Sequence, residues 1–430
     1  MTSSILQDLA ARGLIADASE GLAGHLEATS RTLYVGFDPT ADSLHIGSLL
    51  PLLALRRAQL AGHRPIVLVG GGTGLIGDPS GKAGERALNP KEVVHEWADR
   101  LKRQVARFVD FECGQLSAVL VDNYEWICEL DVVSFLRDVG KYFSVSVMLA
   151  KESVKARLPA GISFTEFSYQ VLQAYDFLCL RRRYNCTVQM GGSDQWGNIT
   201  AGIDLIRRLE GRPAFGLTLP LVTKGDGGKF GKTESGTVWL DTARTSAYEM
   251  YQFWLNTADG DVVRFLKFFT FLPPAEIEDL GRRTAEQAEK REAQLVLARE
   301  ATRLVHGPAG LREADHITGA LFTGDVQLLT ESELRQALAG VPRTVLESGE
   351  PQLLVDVLVQ SGLAESRRRA RDLITAGAIT QNGLRVTDPG TRVSSETALF
   401  GAYFVLRKGK KTYHLVALSS GSDRPGSAGI

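Results

Sequence analysis

Four apolar runs, Thr32–Gly36, Arg64–Gly70, Ala118–Asn123 and Cys186–Met190, each lead into a turn of glycine or polar residues and then into a helical pattern. Strands separated by helices do not close as hairpins. They line up in a parallel sheet, doubly wound with helices on both faces. A fifth run, Leu217–Thr223, continues the series. The spacing therefore predicts an α/β fold with a Rossmann-like sheet. Ligands of such sheets bind beyond the carboxyl ends of the strands, and four motifs fall there.

The first is Gly36–Leu49, Gly-Phe-Asp-Pro-Thr-Ala-Asp-Ser-Leu-His-Ile-Gly-Ser-Leu, whose His45 and Gly47 open a helix predicted to Leu60. Unpaired N–H groups and partial positive charge at a helix start favour anions. A glycine there lets another group approach the backbone. The second is the glycine-rich loop Gly70–Gly81. Its Gly72-Thr-Gly-Leu-Ile-Gly77 matches the dinucleotide fingerprint in form only. It follows the second strand rather than opening the fold, and Glu92 and Glu96 stand inside a predicted helix instead of ending the next strand. Gly77–Lys82 is one residue too short for a phosphate loop. The loop is read as close backbone packing beside a ligand, with Asp78 able to face a cation. The third motif is Gly191-Gly-Ser-Asp-Gln-Trp196. The fourth, Lys229-Phe-Gly-Lys-Thr233, sets two lysines among Gly225, Gly227, Gly228, Gly231 and Gly236. It reads as a mobile lid that brings positive charge to a polyphosphate. The lysines and the turn at His45 together point to phosphoryl or nucleotidyl transfer.

Ser163-Phe-Thr-Glu166 has the form of a capping box and opens a helix predicted to about Leu180. Tyr169, Gln173 and Asp176 share one face of it. Phe167, Val171, Leu172 and Phe177 make the same helix apolar on other sides. A polar stripe on an apolar helix suits a pocket for a small polar ligand.

At 430 residues the chain is long enough for two or three domains, and 44% hydrophobic with 23% charged residues is the composition of a folded protein. No run is apolar enough to span a bilayer, and Met1–Ala10 lacks the basic-then-apolar order of a signal peptide. Cys113, Cys128, Cys179 and Cys186 show no paired spacing, which suits a reducing cytoplasm and argues against a zinc site. Between Pro351 and Leu418 ten Lys or Arg stand against five Asp or Glu. A basic module on an acidic body suggests an anionic macromolecular partner. Arg367, Arg368 and Arg371 lie on one predicted helix, with Lys408, Lys410 and Lys411 further on, a cluster suited to nucleic-acid phosphates. The expected organisation is a sheet domain over 1–245, a small helical domain over 246–345, a basic α+β domain over 351–418 and a disordered tail over 419–430. Asn382-Gly383 predicts a hairpin in the third part.

Taken together, the motifs resemble the bacterial type of tyrosyl-tRNA synthetase, a class I aminoacyl-tRNA synthetase. His45-Ile-Gly-Ser48 looks like the HIGH signature and Lys229–Thr233 like KMSKS. Tyr34, the glycine loop, Ile162–Gln170, Gln173–Asp176 and Gly191–Asn198 also match, so the likeness covers nearly the whole chain. It implies a catalytic Rossmann-like domain that activates tyrosine with ATP and transfers it to tRNA(Tyr), and it implies that the basic α+β domain over 351–418 is RNA-binding. It implies that Tyr34 and Asp176 bond the phenolic hydroxyl, and that Asp78, Tyr169 and Gln173 hold the ammonium group beside Gln195. Gly36, Asp38, Thr40, His45, Gly47, Ser48, Gly192 and Asp194 would take ATP together with Phe230 and Gly231. Lys82, Arg86, Lys229, Lys232 and Thr233 would stabilise the departing pyrophosphate. ATP enters as a substrate with Mg²⁺, and no metal site of the protein's own is implied. The resemblance further implies a cytoplasmic homodimer without a membrane anchor, with its interface around Asp131–Thr165. Two departures stand out: Ser48 replaces the second histidine of the first signature, and Phe230, Gly231 and Thr233 replace Met, Ser and Ser in the second. A tryptophanyl-tRNA synthetase and an inactive synthetase-like RNA-binding protein are the rival readings.

Overall fold

The computed structural model describes residues 4–80, 88–155, 157–225, 230–233, 236–347, 350–409 and 412–419. The chain divides into two compact units. One comprises residues 1–245 and 253–305, and the other 246–252 and 306–430. The helices expected between 246 and 345 are thus shared between the two.

The first unit is built on a six-stranded sheet. Its strands are β1 (Asp17–Ala18), β2 (Thr32–Phe37), β3 (Arg64–Val69), β4 (Val119–Asp122), β5 (Cys186–Gly192) and β6 (Phe215–Leu219), in the order β1-β6-β5-β2-β3-β4. The five longer strands run parallel as the pattern predicts. The short β1 adds an antiparallel edge that the sequence pattern does not announce. Its pairing is reinforced by Thr218, whose hydroxyl donates to Asp17 Oδ2 at 2.8 Å. The last strand ends at Leu219 rather than Thr223 because Pro220 has no N–H to continue the ladder. Because β2 lies between β3 and β5, the winding reverses direction at β2 and β5. Their carboxyl ends open the crevice in which such sheets bind ligands.

Helices that serve the site are α1 (Ile5–Ala11), α2 (Leu49–Leu60), α3 (Lys91–Val105), α4 (Phe164–Tyr184), α5 (Trp196–Glu210) and α6 (Asp259–Phe269). Buried Tyr34, Ile66, Leu68, Val121, Phe177, Leu178 and Ile206 join β2, β3, β4, α4 and α5 in one apolar core. The start of α4 differs from a full capping box. Ser163 accepts from the Glu166 N–H at 3.3 Å, but the Glu166 carboxylate instead meets buried Arg157 at 2.9 Å. Among the described residues no helix is long and apolar enough to cross a membrane.

The second unit carries strands β7 (Arg343–Glu347), β8 (Ile379–Gln381), β9 (Leu384–Val386), β10 (Tyr403–Lys408) and β11 (Thr412–Ser419), in the order β9-β8-β10-β11-β7. The predicted hairpin joins β8 to β9 through Asn382 and Gly383 at φ 51° and 85°, the left-handed pair of a two-residue turn. Strand β7 pairs in parallel with β11, which places the sheet's first strand before the expected boundary at 351. Ser419 closes β11, so the expected tail would begin later, and 420–430 lie outside the described residues. Helix α7 (Arg367–Thr375) packs against this sheet through Ala370, Leu373 and Ile374.

Candidate active site

A cavity of about 300 Å³ opens where β2 and β5 end. Tyr34, Gly36, Asp38, Thr40, His45, Gly47 and Ser48 line it from the β2 side, Asp78 from the glycine loop, Tyr169, Gln173 and Asp176 from α4, and Gly192, Asp194 and Gln195 from the β5 side. Three of the four motifs therefore meet at one cavity, the fourth contributing no lining residue among those described, and the polar stripe of α4 faces them.

At the deepest point Asp176 is 1% exposed. Its carboxylate accepts from Asn123 Nδ2 at 2.9 Å and from Trp126 Nε1 at 2.7 Å. Burial pushes its pKa up to about 8, against the pull of these two donors and with help from the charges of Asp38 and Asp122. Tyr34 is also 1% exposed, and its buried hydroxyl has no hydrogen-bond partner among the described residues. Burial first, and then the Asp176 charge, raise its phenol well above the ordinary range. Gln189, also lining the cavity, buries an Oε1 that likewise has no partner among the described residues. Such atoms are expensive to leave unpaired, about 1–3 kcal/mol each.

Nearer the mouth the polar groups hold one another. Tyr169 donates to Asp38 Oδ2 at 2.7 Å, and Thr73 donates to Asp38 Oδ1 at 2.7 Å. Burial and the charges of Asp38 and Asp78 raise the Tyr169 phenol. Gln195 Nε2 donates to Asp78 Oδ2 at 2.7 Å, while its Oε1 accepts from Gln173 at 3.3 Å and from Asn198 at 3.2 Å. Asp194 has its pKa raised by burial and by Asp78. The carboxylates of Asp38, Asp78 and Asp194 and the amides of Gln173 and Gln195 thus line a space suited to a cation. The glycine loop supplies clearance: a Cβ on Gly70 would lie 1.9 Å from Asp38 Oδ1, and one on Gly71 2.3 Å from Asp122 Oδ1.

His45 caps the short helical turn Ile46–Ser48, its Nδ1 accepting from the Gly47 N–H at 3.0 Å. The second signature is joined to this turn by main-chain bonds. Val238 donates to Gly231 O and Ile46 donates to Val238 O, both at 2.9 Å. Gly231 has φ 79°, and a Cβ there would come 2.5 Å from Ile46 Cγ2. Phe230 sits among Phe253, Trp254, Phe265 and Phe269, stacked on the last at 5.4 Å. This part of the expected lid is anchored. Lys232 is exposed and does not line the cavity, and the Thr233 backbone pairs with Gly236. Lys82, Arg86 and Lys229 lie outside the described residues.

In the second unit Arg368 and Arg371 are exposed on α7. Arg367 is engaged by Asp356, with Nη2 to Oδ2 at 2.8 Å, and Lys408 Nζ donates to Leu363 O at 2.8 Å. These two are thus held by their own domain, and Lys410 and Lys411 lie outside the described residues.

The sequence reading gave Asn123, Trp126, Thr73, Gln189 and Asn198 no role in the site. Asn123 directly follows β4 at a carboxyl strand end, and Gln189 interrupts a buried apolar run, so both carried a signal. Trp126 carried none.

Residues 333–416 match the family described as the tyrosine–tRNA ligase SYY-like C-terminal domain, and residues 27–323 match the class I tRNA synthetases (W and Y). A tyrosine–tRNA ligase of Aliivibrio fischeri strain MJ11 is 57% identical over 420 residues, 96% of this chain and 98% of that one. The chain belongs to the tyrosine–tRNA ligases. It is an enzyme of the class I synthetase fold. A tyrosine–tRNA ligase of Geobacillus kaustophilus is 56% identical over 96% of this chain and 99% of its own. Among solved structures, a C-terminally truncated mitochondrial tyrosyl-tRNA synthetase of Aspergillus nidulans matches with TM-score 0.67 and 30% identity, covering 74% of this chain and 94% of that chain. A tryptophanyl-tRNA synthetase of Plasmodium falciparum shares the fold at TM-score 0.51 with 12% identity, over 77% of this chain and 87% of that one. The ligase family favours neither rival reading.

Proposed function

We propose that the cavity binds tyrosine between Tyr34 and Asp176 at its phenolic end and the Asp78–Tyr169–Gln173 group at its ammonium end. The observation that carries this reading is the pairing of an unpartnered buried phenol with a buried carboxylate at the base of the pocket. A phenolic hydroxyl completes both, and a phenyl ring completes neither. Gln195 and Asp38 act one step back, orienting Asp78 and Tyr169.

The tyrosine carboxylate attacks the α-phosphorus of ATP, and pyrophosphate leaves. A ribose hydroxyl at the tRNA 3′ end then attacks the tyrosyl carbonyl, and AMP leaves. Neither step requires a general acid or base from the protein beyond positioning and charge stabilisation. His45, Gly47 and Ser48 contact the phosphates, Gly36, Thr40 and Gly192 border the nucleotide, and Asp194 takes the ribose hydroxyls. Lys232 and Thr233, with Lys82, Arg86 and Lys229, serve the leaving pyrophosphate. Mg²⁺ arrives with ATP as part of the nucleotide substrate.

The second unit takes the tRNA through Arg368 and Arg371, with Lys410 and Lys411. A homodimer is supported by the exposed apolar side chains Val132, Val133, Leu136, Val145, Val147 and Phe164, all between 53% and 76% exposed. A cytoplasmic setting fits four free cysteines.

Amino-acid-dependent exchange of labelled pyrophosphate into ATP tests the first step. Exchange with tyrosine is expected. Exchange with tryptophan instead would overturn the substrate, and none with any amino acid would overturn the activity.

A further inference from the structure

Two buried arginines meet a partly buried aspartate apart from the residues that line the cavity. Arg12, which caps the end of α1, and Arg57 of α2 are each 4% exposed. Both meet Asp8, Arg12 through Nε at 2.8 Å and Arg57 through Nη1 at 3.0 Å. Further donors of both go to main-chain carbonyls in the last turn of α6 and just past it, while Arg57 Nε has no partner among the described residues. Arg12 reaches Lys267 O and Thr270 O at 3.3 Å and Leu272 O at 2.8 Å, and Arg57 also bonds Thr270 O. Arg57 lies over the Phe271 ring, 4.5 Å from its centroid. The carbonyls at a helix end are unpaired and carry partial negative charge, so the guanidiniums satisfy them and are in turn offset by them. A guanidinium is planar and directional, and a knot of such bonds fixes angles as well as distances.

The elements it ties are those that carry the two signatures. Helix α2 runs from the His45–Ser48 turn to Arg57, about 12 Å along its axis. Helix α6 runs from the knot to Phe265 and Phe269, two of the rings that hold Phe230. Gly231, next to Phe230, is bonded through Val238 to Ile46. The contacts therefore close a circuit: knot, α2, Ile46, Gly231, Phe230, α6, knot. Tyr34, Asp176 and Asn123 are not in it.

We infer that the Asp8–Arg12–Arg57 knot is a positioning device that fixes α2 against the end of α6 and so sets how the Phe230–Gly231 segment meets the His45–Ser48 turn. This rests on the reading of that turn as the ATP side of the site. The three residues touch no substrate. They act through the two helices, and their loss should fall on ATP rather than on tyrosine.

The test uses the full chain. For Asp8→Asn, kcat/KM for ATP in tyrosine-dependent pyrophosphate exchange is expected to fall about ten- to a hundredfold, the range that displacements of about 1 Å produce. Tyrosine affinity by equilibrium dialysis is expected to stay at the wild-type value, and Asp8→Glu to recover part of the loss. Arg12→Lys, which keeps the charge but not the fork, is expected to give the same split more weakly and carries the test if Asp8→Asn does not fold. Combined with Phe230→Leu, Asp8→Asn is expected to lose less than the sum of the two single losses, because both act on one circuit. A lowered melting temperature with unchanged ATP kinetics, equal losses for ATP and tyrosine, or strict additivity with Phe230→Leu would each overturn the inference. A wild-type chain without tyrosine-dependent exchange would instead overturn the activity reading beneath it.

Discussion

Asn123 donates its side-chain N–H to the Asp176 carboxylate across 2.9 Å, with both residues at or below 1% exposure. The same amide donates to Thr73 Oγ1 at 2.9 Å and accepts from the Gly72 N–H at 2.8 Å. One side chain therefore binds the glycine loop to the group expected to read the substrate hydroxyl. Asn123→Ala strips a donor from a buried carboxylate. It should lower kcat/KM for tyrosine in pyrophosphate exchange by about ten- to a hundredfold, with the KM for ATP little changed. An ATP effect as large as the tyrosine effect would place Asn123 elsewhere in the mechanism.

The raised pKa of Asp176 makes stability depend on pH in a definite direction. Its carboxyl titrates at about 8 folded against an ordinary 3.8. Between these values the folded state holds a proton that the unfolded chain has released, so stability falls as pH rises through the window. Asp176→Asn has no such proton. The melting temperature of the wild type relative to this variant should decline from pH 4 to about 8 and level beyond. A flat difference would mean that Asn123 and Trp126 keep the carboxylate ionised throughout.

Tyr34→Phe separates stability from recognition. The hydroxyl it removes is buried without a partner among the described residues, so the free protein should be as stable as the wild type or more so. Selection of tyrosine over phenylalanine should weaken by about three- to tenfold, the worth of one neutral hydrogen bond. The ratio of kcat/KM values for the two amino acids measures this, and an unchanged ratio would show that Tyr34 does not read the hydroxyl.

On α7, Arg367 is taken up by Asp356 whereas Arg368 and Arg371 are exposed. Arg368→Ala with Arg371→Ala should weaken tRNA charging and flatten its dependence on salt, while pyrophosphate exchange stays at the wild-type rate. Arg367→Ala should have the smaller effect on charging. The reverse ranking would show that the Asp356 pair opens to meet RNA.

The features legible in sequence were local ones. The apolar runs, the turns that end them, the i, i+4, i+7 stripe of Tyr169, Gln173 and Asp176, and the Asn382-Gly383 hairpin each rest on a few neighbouring residues and a known period. The features that escaped pair residues far apart in the chain. Strand β1 is two residues long and exists by virtue of β6. Strand β7 joins its sheet through β11, across most of the second unit. Arg367 reads as a free cation until Asp356 is seen beside it.

The sequence by itself determined which chemistry is present: a tyrosine hydroxyl, carboxylates and amides at strand ends, and two lysines in a glycine loop, in an order that resembles one enzyme family. Only the tertiary structure decided which of these groups are satisfied and which are held open. Asp38 is occupied by Tyr169 and Thr73, Asp176 by Asn123 and Trp126, and Tyr34 is left unpartnered among the described residues. Whether a buried polar group finds a partner depends on long-range packing. That packing leaves the Tyr34 hydroxyl without a hydrogen-bond partner among the described residues.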